Sequence, residues 1–165
     1  MRRQEVLARA LALETPLVEL TGGEPLLQPG SIPLLAELCD AGKTVLVETS
    51  GEADVSEVDR RVHKVMDLKC PASGEAHRNR WSNLEFIGPR DEIKFVLADR
   101  ADYEWMRQAI AAHGLAARTP ALLASTVFGR LAVKDLVAWV LEDALPVRVQ
   151  LQMHKLIWGE HAQGV

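Results

Sequence analysis

The sequence predicts an α/β domain built around a parallel sheet. Short apolar runs alternate along the chain with amphipathic segments of helical periodicity, and glycine or proline separates many of them. The run at residues 44–49 is nearly continuous in apolar character, which is typical of a strand covered on both faces. Strands that alternate with helices assemble into parallel sheets through right-handed βαβ units.

The first half of the chain predicts two strands and two helices. A helix is expected over about residues 1–13, followed by a short strand at 17–21. Ser31 is a candidate N-cap for a second helix that Gly42 ends. The strand at 44–49 follows directly.

The same alternation continues to the end of the chain. The predicted elements are, in order, a weak helix at 56–63, a strand at 65–68, a polar loop at 72–83, a strand at 92–97, a helix capped by Asp99 or Asp102 and ended by Gly114, and strands at 121–125 and 147–152 separated by a helix at 133–141. There is no repeat or low-complexity linker, so residues 1–165 are expected to form one domain.

Composition excludes several classes of protein. The chain has 165 residues, 48% hydrophobic and 25% charged, which is enough apolar surface to exclude disorder as the main state. A net charge of -4 gives no basic field for nucleic acid. No apolar run reaches the roughly 18 residues of a membrane span, and no signal-peptide core is present. A cytoplasmic protein with neither nucleic-acid nor membrane partners is expected.

The two cysteines limit the metal chemistry of the chain. Cys39 is predicted on the apolar side of a helix as a buried, inert thiol, and Cys70 follows a strand where it could line a cleft. Two such residues form no Cys-x-x-Cys pair and cannot supply the thiolates of an iron–sulfur cluster.

Polar residues follow successive predicted strands, at the edge where parallel sheets bind ligands. Glycines there allow close backbone approach, and the side chains suit hydroxyl, ammonium and carboxylate groups, so a polar, zwitterionic, sugar-bearing ligand is expected. The candidate residues are Thr21, Gly22, Gly23, Glu24 and Pro25 after the first strand, Glu48 and Ser50 after the second, Lys69 and Ser73 after the third, Lys94 within the fourth, and Gln152, His154 and Lys155 after the last.

Each of these signals also has a structural interpretation. Gly-Gly-Glu-Pro is most often a turn, and residues 48–51 suit a strand end with a capping hydroxyl. His154 and Lys155 suit a solvated terminal turn equally well. Lys94 is more informative, since a lysine on a doubly covered strand is costly unless its ammonium finds a partner. The functional interpretation depends on the coincidence of these signals at successive strand ends.

Several segments together resemble the radical S-adenosylmethionine (SAM) superfamily and, more narrowly, the 7-carboxy-7-deazaguanine synthases. The similarity covers about residue 6 to the end, and its C-terminal block is the most specific. The segments are LTGGEPLL at 20–27, VETSG at 47–51, DLKCP at 67–71, DEIKFV at 91–96, DYEW at 102–105 and QLQMHKLIWG at 150–159.

The resemblance implies a partial (β/α) barrel that works with SAM, a 4Fe-4S cluster and Mg2+. It implies radical ring contraction of 6-carboxy-5,6,7,8-tetrahydropterin to 7-carboxy-7-deazaguanine with loss of ammonia, in queuosine and deazapurine biosynthesis. An electron donor such as flavodoxin or ferredoxin is implied, and a homodimer is compatible with it.

Residue roles carry over by motif. Thr21, Gly22, Gly23, Glu24 and Pro25 would surround the methionine end of SAM, with Gly22, Gly23 and Glu24 holding its amino group. The further SAM candidates are Glu48, Ser50, Lys69, Ser73 and Lys94, with Lys94 meeting a carboxylate. Gln152, His154 and Lys155 would contact the pterin.

The chain departs from this pattern at its start. The superfamily places three cluster cysteines after its first strand, and Met1 aligns within the helix beyond them. We therefore expect an N-terminally truncated barrel lacking its first strand, inactive alone, and marginally stable or self-associating because an edge is exposed. Two alternatives remain: another radical SAM enzyme, such as a glycyl-radical activating enzyme, or a cluster-free remnant that binds SAM or a partner.

Overall fold

A six-stranded parallel sheet forms the centre of the structure, a computed structural model that describes residues 2–159. The strands are β1 (Leu17–Leu20), β2 (Thr44–Thr49), β3 (His63–Asp67), β4 (Glu92–Leu97), β5 (Ala121–Thr126) and β6 (Arg148–Val149). Their order in the sheet is their order in the chain, and each neighbouring pair runs parallel. All carboxyl ends therefore meet at one edge of the sheet.

Helices and short 3-10 turns connect the strands. The helices are α1 (Arg3–Ala12), α2 (Ser31–Asp40), α3 (Arg100–Ala112), α4 (Leu115–Arg118), α5 (Val133–Glu142) and α6 (Met153–Trp158). The 3-10 turns are Pro25–Leu27, Pro71–Ser73, Ala76–Arg78 and Trp81–Phe86. None of the helices within residues 2–159 has the length and apolar character needed to cross a bilayer.

The two faces of the sheet differ in composition. On β2, Val45 and Val47 are buried in the cluster that includes Leu35 of α2. Phe95 of β4 is buried with Met106 of α3 in a second cluster. Successive residues of a strand point to opposite faces of the sheet. The residues that alternate with Val45, Val47 and Phe95 therefore lie on the face away from these helices.

This opposite face carries charge. Glu48 on β2 and Lys94 on β4 are half-buried and alternate with the core residues of their strands. Glu92 and Asp67 belong to the same face by register, since Asp67 pairs with Lys94 and Glu92 lies two residues earlier. The charged residues on this face explain why the central strands are not uniformly apolar.

Most predicted elements are confirmed, including all six strands and the helices near 3–12, 31–40, 100–112 and 133–142. Asp99 caps α3, with its side chain accepting the Asp102 backbone N–H at 2.9 Å. The prediction that Ser31 is the N-cap of α2 is wrong, because Gly30 occupies that position. The Ser31 hydroxyl instead donates to the Pro25 carbonyl.

The predicted helix at 56–63 is also wrong. The Asp54 carboxylate accepts the Ser56 N–H at 2.9 Å, and the Asp59 carboxylate accepts the Arg61 N–H at 2.8 Å. Such local side-chain bonds stabilise turns in competition with a helix. The segment forms consecutive turns instead, and its apolar residues are buried by them.

The last predicted strand is shorter than expected. Pairing with β5 is confined to Arg148–Val149, continued by one hydrogen bond from Gln150 N to Ala124 O at 2.9 Å. The chain then forms α6, where the sequence suggested strand and turn.

Candidate functional site

The loop after β1 is a tight glycine turn closed by Glu24. Gly22 and Gly23 have φ of 95° and 58°, a region that favours glycine, and a Cβ at either position would meet no atom within 4 Å. One Glu24 carboxylate oxygen accepts the Leu26 N–H at 3.0 Å and caps the turn that begins with the buried Pro25.

The other oxygen of Glu24 joins this loop to the end of β2. Oε2 accepts the Thr49 hydroxyl at 2.9 Å, the Ser50 N–H at 2.6 Å and the Ser50 hydroxyl. Glu24 and Ser50, predicted separately from the sequence, therefore share one hydrogen-bond network. The open side of the glycine turn lies beside it.

A second network centres on Glu48. Its Oε1 accepts from the Lys94 ammonium at 2.5 Å, and its Oε2 accepts the Thr21 hydroxyl at 3.1 Å. Burial alone would raise the pKa of the Glu48 carboxyl, but the Lys94 ammonium and the Thr21 hydroxyl lower it below its ordinary value. The carboxylate is thus held ionised between β1 and β4.

Lys69 lies beyond the end of β3 and is fixed by two neighbours. Its ammonium pairs with Asp67 Oδ2 at 2.7 Å. Its backbone N–H donates to the Asn79 side chain, and its carbonyl accepts from the same amide, both at 2.9 Å. Ser73 follows in a 3-10 turn, where its hydroxyl donates to the Cys70 carbonyl at 2.6 Å.

Two cavities lie at these strand ends. A cavity of about 220 Å³ is lined by Glu24, Ser50, Glu52, Lys69, Glu75 and Arg78. A neighbouring cavity of about 340 Å³ includes Asp67, Lys69, Ser73, Asp102 and Arg130 in its lining. Lys69 lines both cavities, so the structure brings residues predicted after β1, β2 and β3 to one continuous region.

The C-terminal candidates lie at the same edge but in a different cavity. Gln152 lines a space of about 450 Å³ together with Thr126, Phe128 and Arg130. The Lys155 ammonium lies 5.9 Å from the centroid of the Phe128 ring. The side chain of His154 lies outside the described part of the structure, as do residues 160–165.

The sequence analysis missed Arg130, Asn79 and Arg78. Arg130 follows β5, so the rule that ligand residues follow strands would have found it. Asn79 and Arg78 lie in the polar segment at 72–83, where nothing local indicates which residues turn back toward the site. Arg78 does so through ion pairs with Glu52 at 2.6 Å and Glu75 at 3.1 Å.

The cysteines lie in separate parts of the core. Cys39 is half-buried beside the cluster of α2 and β2, and Cys70 is 1% exposed in the cluster of β3 and β4. Burial raises the thiol pKa of both. Within residues 2–159, no group of three or more histidine, cysteine, aspartate or glutamate side chains is arranged to hold a metal ion.

Sequence comparison finds relatives that all carry one name. The chain is 45% identical over 168 residues to the 7-carboxy-7-deazaguanine synthase of Chlorobaculum tepidum, covering 100% of this chain and 76% of that protein. The synthase of Koribacter versatilis is 45% identical over 162 residues, which cover 90% of this chain and 72% of that protein. The synthase of Clostridium acetobutylicum is 32% identical over 170 residues, which cover 100% of this chain and 76% of that protein. No protein-family model matches the chain.

Solved structures share the fold. SuiB of Streptococcus suis bound to S-adenosylmethionine has a TM-score of 0.62 at 13% identity, over 91% of this chain and 43% of the SuiB chain. SuiB bound to the precursor peptide SuiA has a TM-score of 0.63 at 12% identity, over 89% of this chain and 41% of the SuiB chain. The chain thus spans about two fifths of SuiB, and the likeness is one of fold alone. The α/β partial-barrel architecture predicted from the sequence is confirmed.

Proposed function

The chain belongs to the 7-carboxy-7-deazaguanine synthase family, and on this premise we propose that it binds SAM and 6-carboxy-5,6,7,8-tetrahydropterin for conversion of the pterin to 7-carboxy-7-deazaguanine with loss of ammonia. The observation that carries the proposal is the pair of hydrogen-bond networks around Glu24 and Glu48. These networks join residues from three strand ends beside an open glycine turn.

We assign the methionine end of SAM to the glycine turn. The open space beside Gly22 and Gly23 leaves room for a ligand to approach the backbone, whose carbonyl oxygens could accept hydrogen bonds from the SAM ammonium. The Glu24 carboxylate lines the adjoining cavity and adds negative charge for the same group. Thr21 and Pro25 set the two ends of this turn, through the bond to Glu48 and through the 3-10 turn.

The remaining cofactor candidates surround the same space. Glu48 offers acceptor oxygens for a ribose hydroxyl, and Lys94 keeps that carboxylate ionised while presenting an ammonium to a ligand carboxylate. Ser50, Lys69 and Ser73 line the neighbouring cavities and add donors. On one-electron reduction by an external cluster, bound SAM would supply the radical that begins the ring contraction.

We assign the pterin end to the cavity beyond β5 and β6. Gln152 has a buried side-chain oxygen with no hydrogen-bond partner among the described residues, and such an atom suits a donor from a ligand or water. Lys155 lies beside the same cavity through Phe128. His154, two residues after Gln152, remains a candidate by sequence.

The iron–sulfur cluster does not fit the residues described. Cys39 and Cys70 lie in different core clusters, and among the described residues neither belongs to a group of side chains arranged to hold a metal ion. For Mg2+ too, no group of three or more histidine, cysteine, aspartate or glutamate side chains is arranged as a ligand set within residues 2–159. We therefore propose that these 165 residues, taken alone, bind SAM without turnover, and that electron delivery from a flavodoxin or ferredoxin has no acceptor in them. A single domain in the cytoplasm, as a monomer or homodimer, is part of this proposal.

Anaerobic reconstitution of the purified chain tests this proposal. The protein is treated with iron and sulfide, bound iron is measured, and SAM binding is followed by equilibrium dialysis. Pterin conversion is followed by mass spectrometry of 7-carboxy-7-deazaguanine. We expect SAM binding, no stoichiometric iron and no product.

A matched pair of variants locates the binding. Glu48→Gln removes the ionised carboxylate and is expected to weaken SAM binding, whereas Glu57→Gln changes an exposed residue outside the site and leaves it unchanged. Product formation by the chain alone, or a failure to bind SAM, would contradict the proposal. Equal SAM affinity in both variants would contradict the assignment of Glu48.

A further inference from the structure

A tight turn after β5 fixes the position of Arg130. The Val127 N–H donates to the Leu97 carbonyl at 2.8 Å, which ties the start of the turn to β4. The Arg130 N–H then donates to the Val127 carbonyl at 3.1 Å, closing a four-residue turn. Gly129 occupies its third position with φ of 75°, as a type II turn requires. The backbone of this arginine is therefore set by the sheet.

The turn places Arg130 between two cavities that the proposed function uses. It lines the 340 Å³ cavity on one side, together with Lys69 and Ser73. It lines the 450 Å³ cavity on the other side, together with Gln152. Arg130 thus lies at the boundary between the assigned SAM residues and the assigned pterin residues.

The charges on the side of the 450 Å³ cavity favour an anionic ligand. In the 340 Å³ cavity, the Asp102 carboxylate accepts the Ala72 and Ala98 N–H groups at 2.9 Å each, and Asp67 pairs with Lys69. Both oxygens of Asp102 therefore have N–H partners, whereas Asp67 Oδ1 is buried without a hydrogen-bond partner among the described residues. The 340 Å³ cavity thus suits a hydrogen-bond donor rather than an anion. In the 450 Å³ cavity, Arg130 is the one charged residue of the described lining.

A guanidinium recognises a carboxylate through two parallel hydrogen bonds, which an ammonium cannot do. Both the substrate and the product of the proposed reaction carry one ring carboxylate. We propose that Arg130 binds this carboxylate and makes the site specific for carboxylated ligands. The inference rests on the proposed function. Lys155 is the competing cation, but its ammonium lies over the Phe128 ring.

A comparison of two ligands across four proteins tests the inference. The affinities for 7-carboxy-7-deazaguanine and for 7-deazaguanine, which lacks the carboxylate, are measured by calorimetry. The proteins are the unaltered chain, Arg130→Gln, Lys155→Gln and Arg60→Gln. Arg60 is an exposed arginine lining a cavity that includes Lys64, near the opposite ends of the strands, and serves as the matched control.

We expect the unaltered chain to prefer the carboxylated ligand by about 10- to 100-fold, the range of a charge-assisted hydrogen-bonded pair. Arg130→Gln should remove this preference by weakening the binding of the carboxylated ligand alone. Arg60→Gln should leave both affinities unchanged, whereas Lys155→Gln, at the assigned pterin site, should weaken the binding of both ligands to the same extent. Circular dichroism confirms that each variant is folded.

The outcomes separate the two proposals. If Arg130→Gln keeps the preference, or if Lys155→Gln removes it instead, the role of Arg130 is overturned and the proposed function stands. If the unaltered chain binds neither ligand, the assignment of the pterin site and the role of Arg130 both fail.

Discussion

The Nζ of Lys94 lies 2.5 Å from Oε1 of Glu48, although an entire strand, β3, separates their two strands in the sheet. The contact is made above β3 on the face that the helices leave uncovered. Since Glu48 also accepts the Thr21 hydroxyl, one carboxylate connects the ends of β1, β2 and β4. The polar groups of the site therefore contribute to holding the strands that present them.

Replacing Lys94 by methionine should destabilise the fold in a pH-dependent way. Glu48 loses its cationic partner while it remains half-buried, so we expect a loss of about 1–2 kcal/mol at neutral pH. The pKa of Glu48 is lowered on folding, so its ionised form stabilises the protein above the ordinary carboxyl pKa of 4.5, and this contribution disappears as the pH falls through the lowered pKa.

Urea unfolding of the unaltered protein and of Lys94→Met, from neutral pH down to about pH 3, measures the effect. The difference in the free energy of unfolding between the two proteins should decrease as the pH falls. The double variant Lys94→Met/Glu48→Gln should recover part of the neutral-pH loss. A difference that is constant with pH would show that packing, rather than charge, explains it.

Replacing Asp91 by alanine should lower the free energy of unfolding much more than Lys94→Met does. Asp91 and Lys64 are 5% exposed each, and their charged atoms are 3.1 Å apart. The Asp91 carboxylate also accepts the Lys64 and Gly88 N–H groups at 2.8 and 2.9 Å. Removing it leaves a buried ammonium without its partner, which costs about 3–5 kcal/mol.

Chemical denaturation at neutral pH gives this value directly. The double variant Asp91→Ala/Lys64→Met removes both charges and should be more stable than Asp91→Ala alone. A loss below about 1 kcal/mol in Asp91→Ala would contradict the importance of the pair.

Replacing Gly23 by alanine should weaken SAM binding more than it weakens the fold. Its φ of 58° costs a side chain about 1–2 kcal/mol, and the added methyl group occupies the space assigned to the ligand. Gly42, with φ of 81° at the end of α2 and no neighbour within 4 Å, is the matched control. Gly42→Ala should show a similar loss of stability with unchanged SAM affinity. Equal affinities in the two variants would place the ligand elsewhere.

Replacing Asn83 by alanine should release the loop that follows β2. Asn83 is 1% exposed, and its amide nitrogen donates to the carbonyls of Gly51 and Ala53 at 3.1 and 2.7 Å. We expect a loss of about 2–3 kcal/mol, because these buried acceptors then lack donors. Arg80→Gln breaks two exposed contacts, the ion pair with Asp54 and the hydrogen bond to the Ser82 hydroxyl, and should cost less than about 1 kcal/mol. Thermal unfolding of both variants compares them, and equal losses would count against this explanation.

Alkylation should distinguish the two cysteines. Burial raises the pKa of both thiols, but Cys39 is half-buried near the helix surface and Cys70 is 1% exposed. At about pH 8, iodoacetamide should modify Cys39 first, and Cys70 only as the protein opens, since the thiolate is the reacting form. Mass spectrometry of peptides over time measures both rates. Rapid modification of Cys70 in the folded protein would show that its cavity is open.

The sequence was sufficient to predict the sheet because strand positions depend on local apolar periodicity. Residues 44–49 and 92–97 form strands with the bounds expected from the sequence. It was also sufficient to place Glu24 and Ser50 at the same edge of the sheet, because both follow parallel strands. It was not sufficient for the segment at 56–63, where the Asp54 and Asp59 side chains bond to nearby N–H groups and favour turns.

Partners distant in the chain could not be predicted. Lys94 was expected to need a partner, but its pairing with Glu48 depends on which face of the sheet both occupy and on the strand between them. Asn79 turns back to Lys69 through two hydrogen bonds that no local pattern indicates. Such contacts depend on sheet register and loop path, which form only when the whole chain is folded.

The sequential order of the strands has a consequence for synthesis on the ribosome. From β2 onward, each strand pairs with the strand that precedes it in the chain. Leu17 is therefore already translated when its partner Thr44 is added, and Glu92 is already translated when its partner Ala121 is added. A nascent chain can therefore add one strand and its helix at a time, without waiting for a distant segment. The Lys94–Glu48 bond then forms only after β4 emerges, and it fastens strands that are already in place.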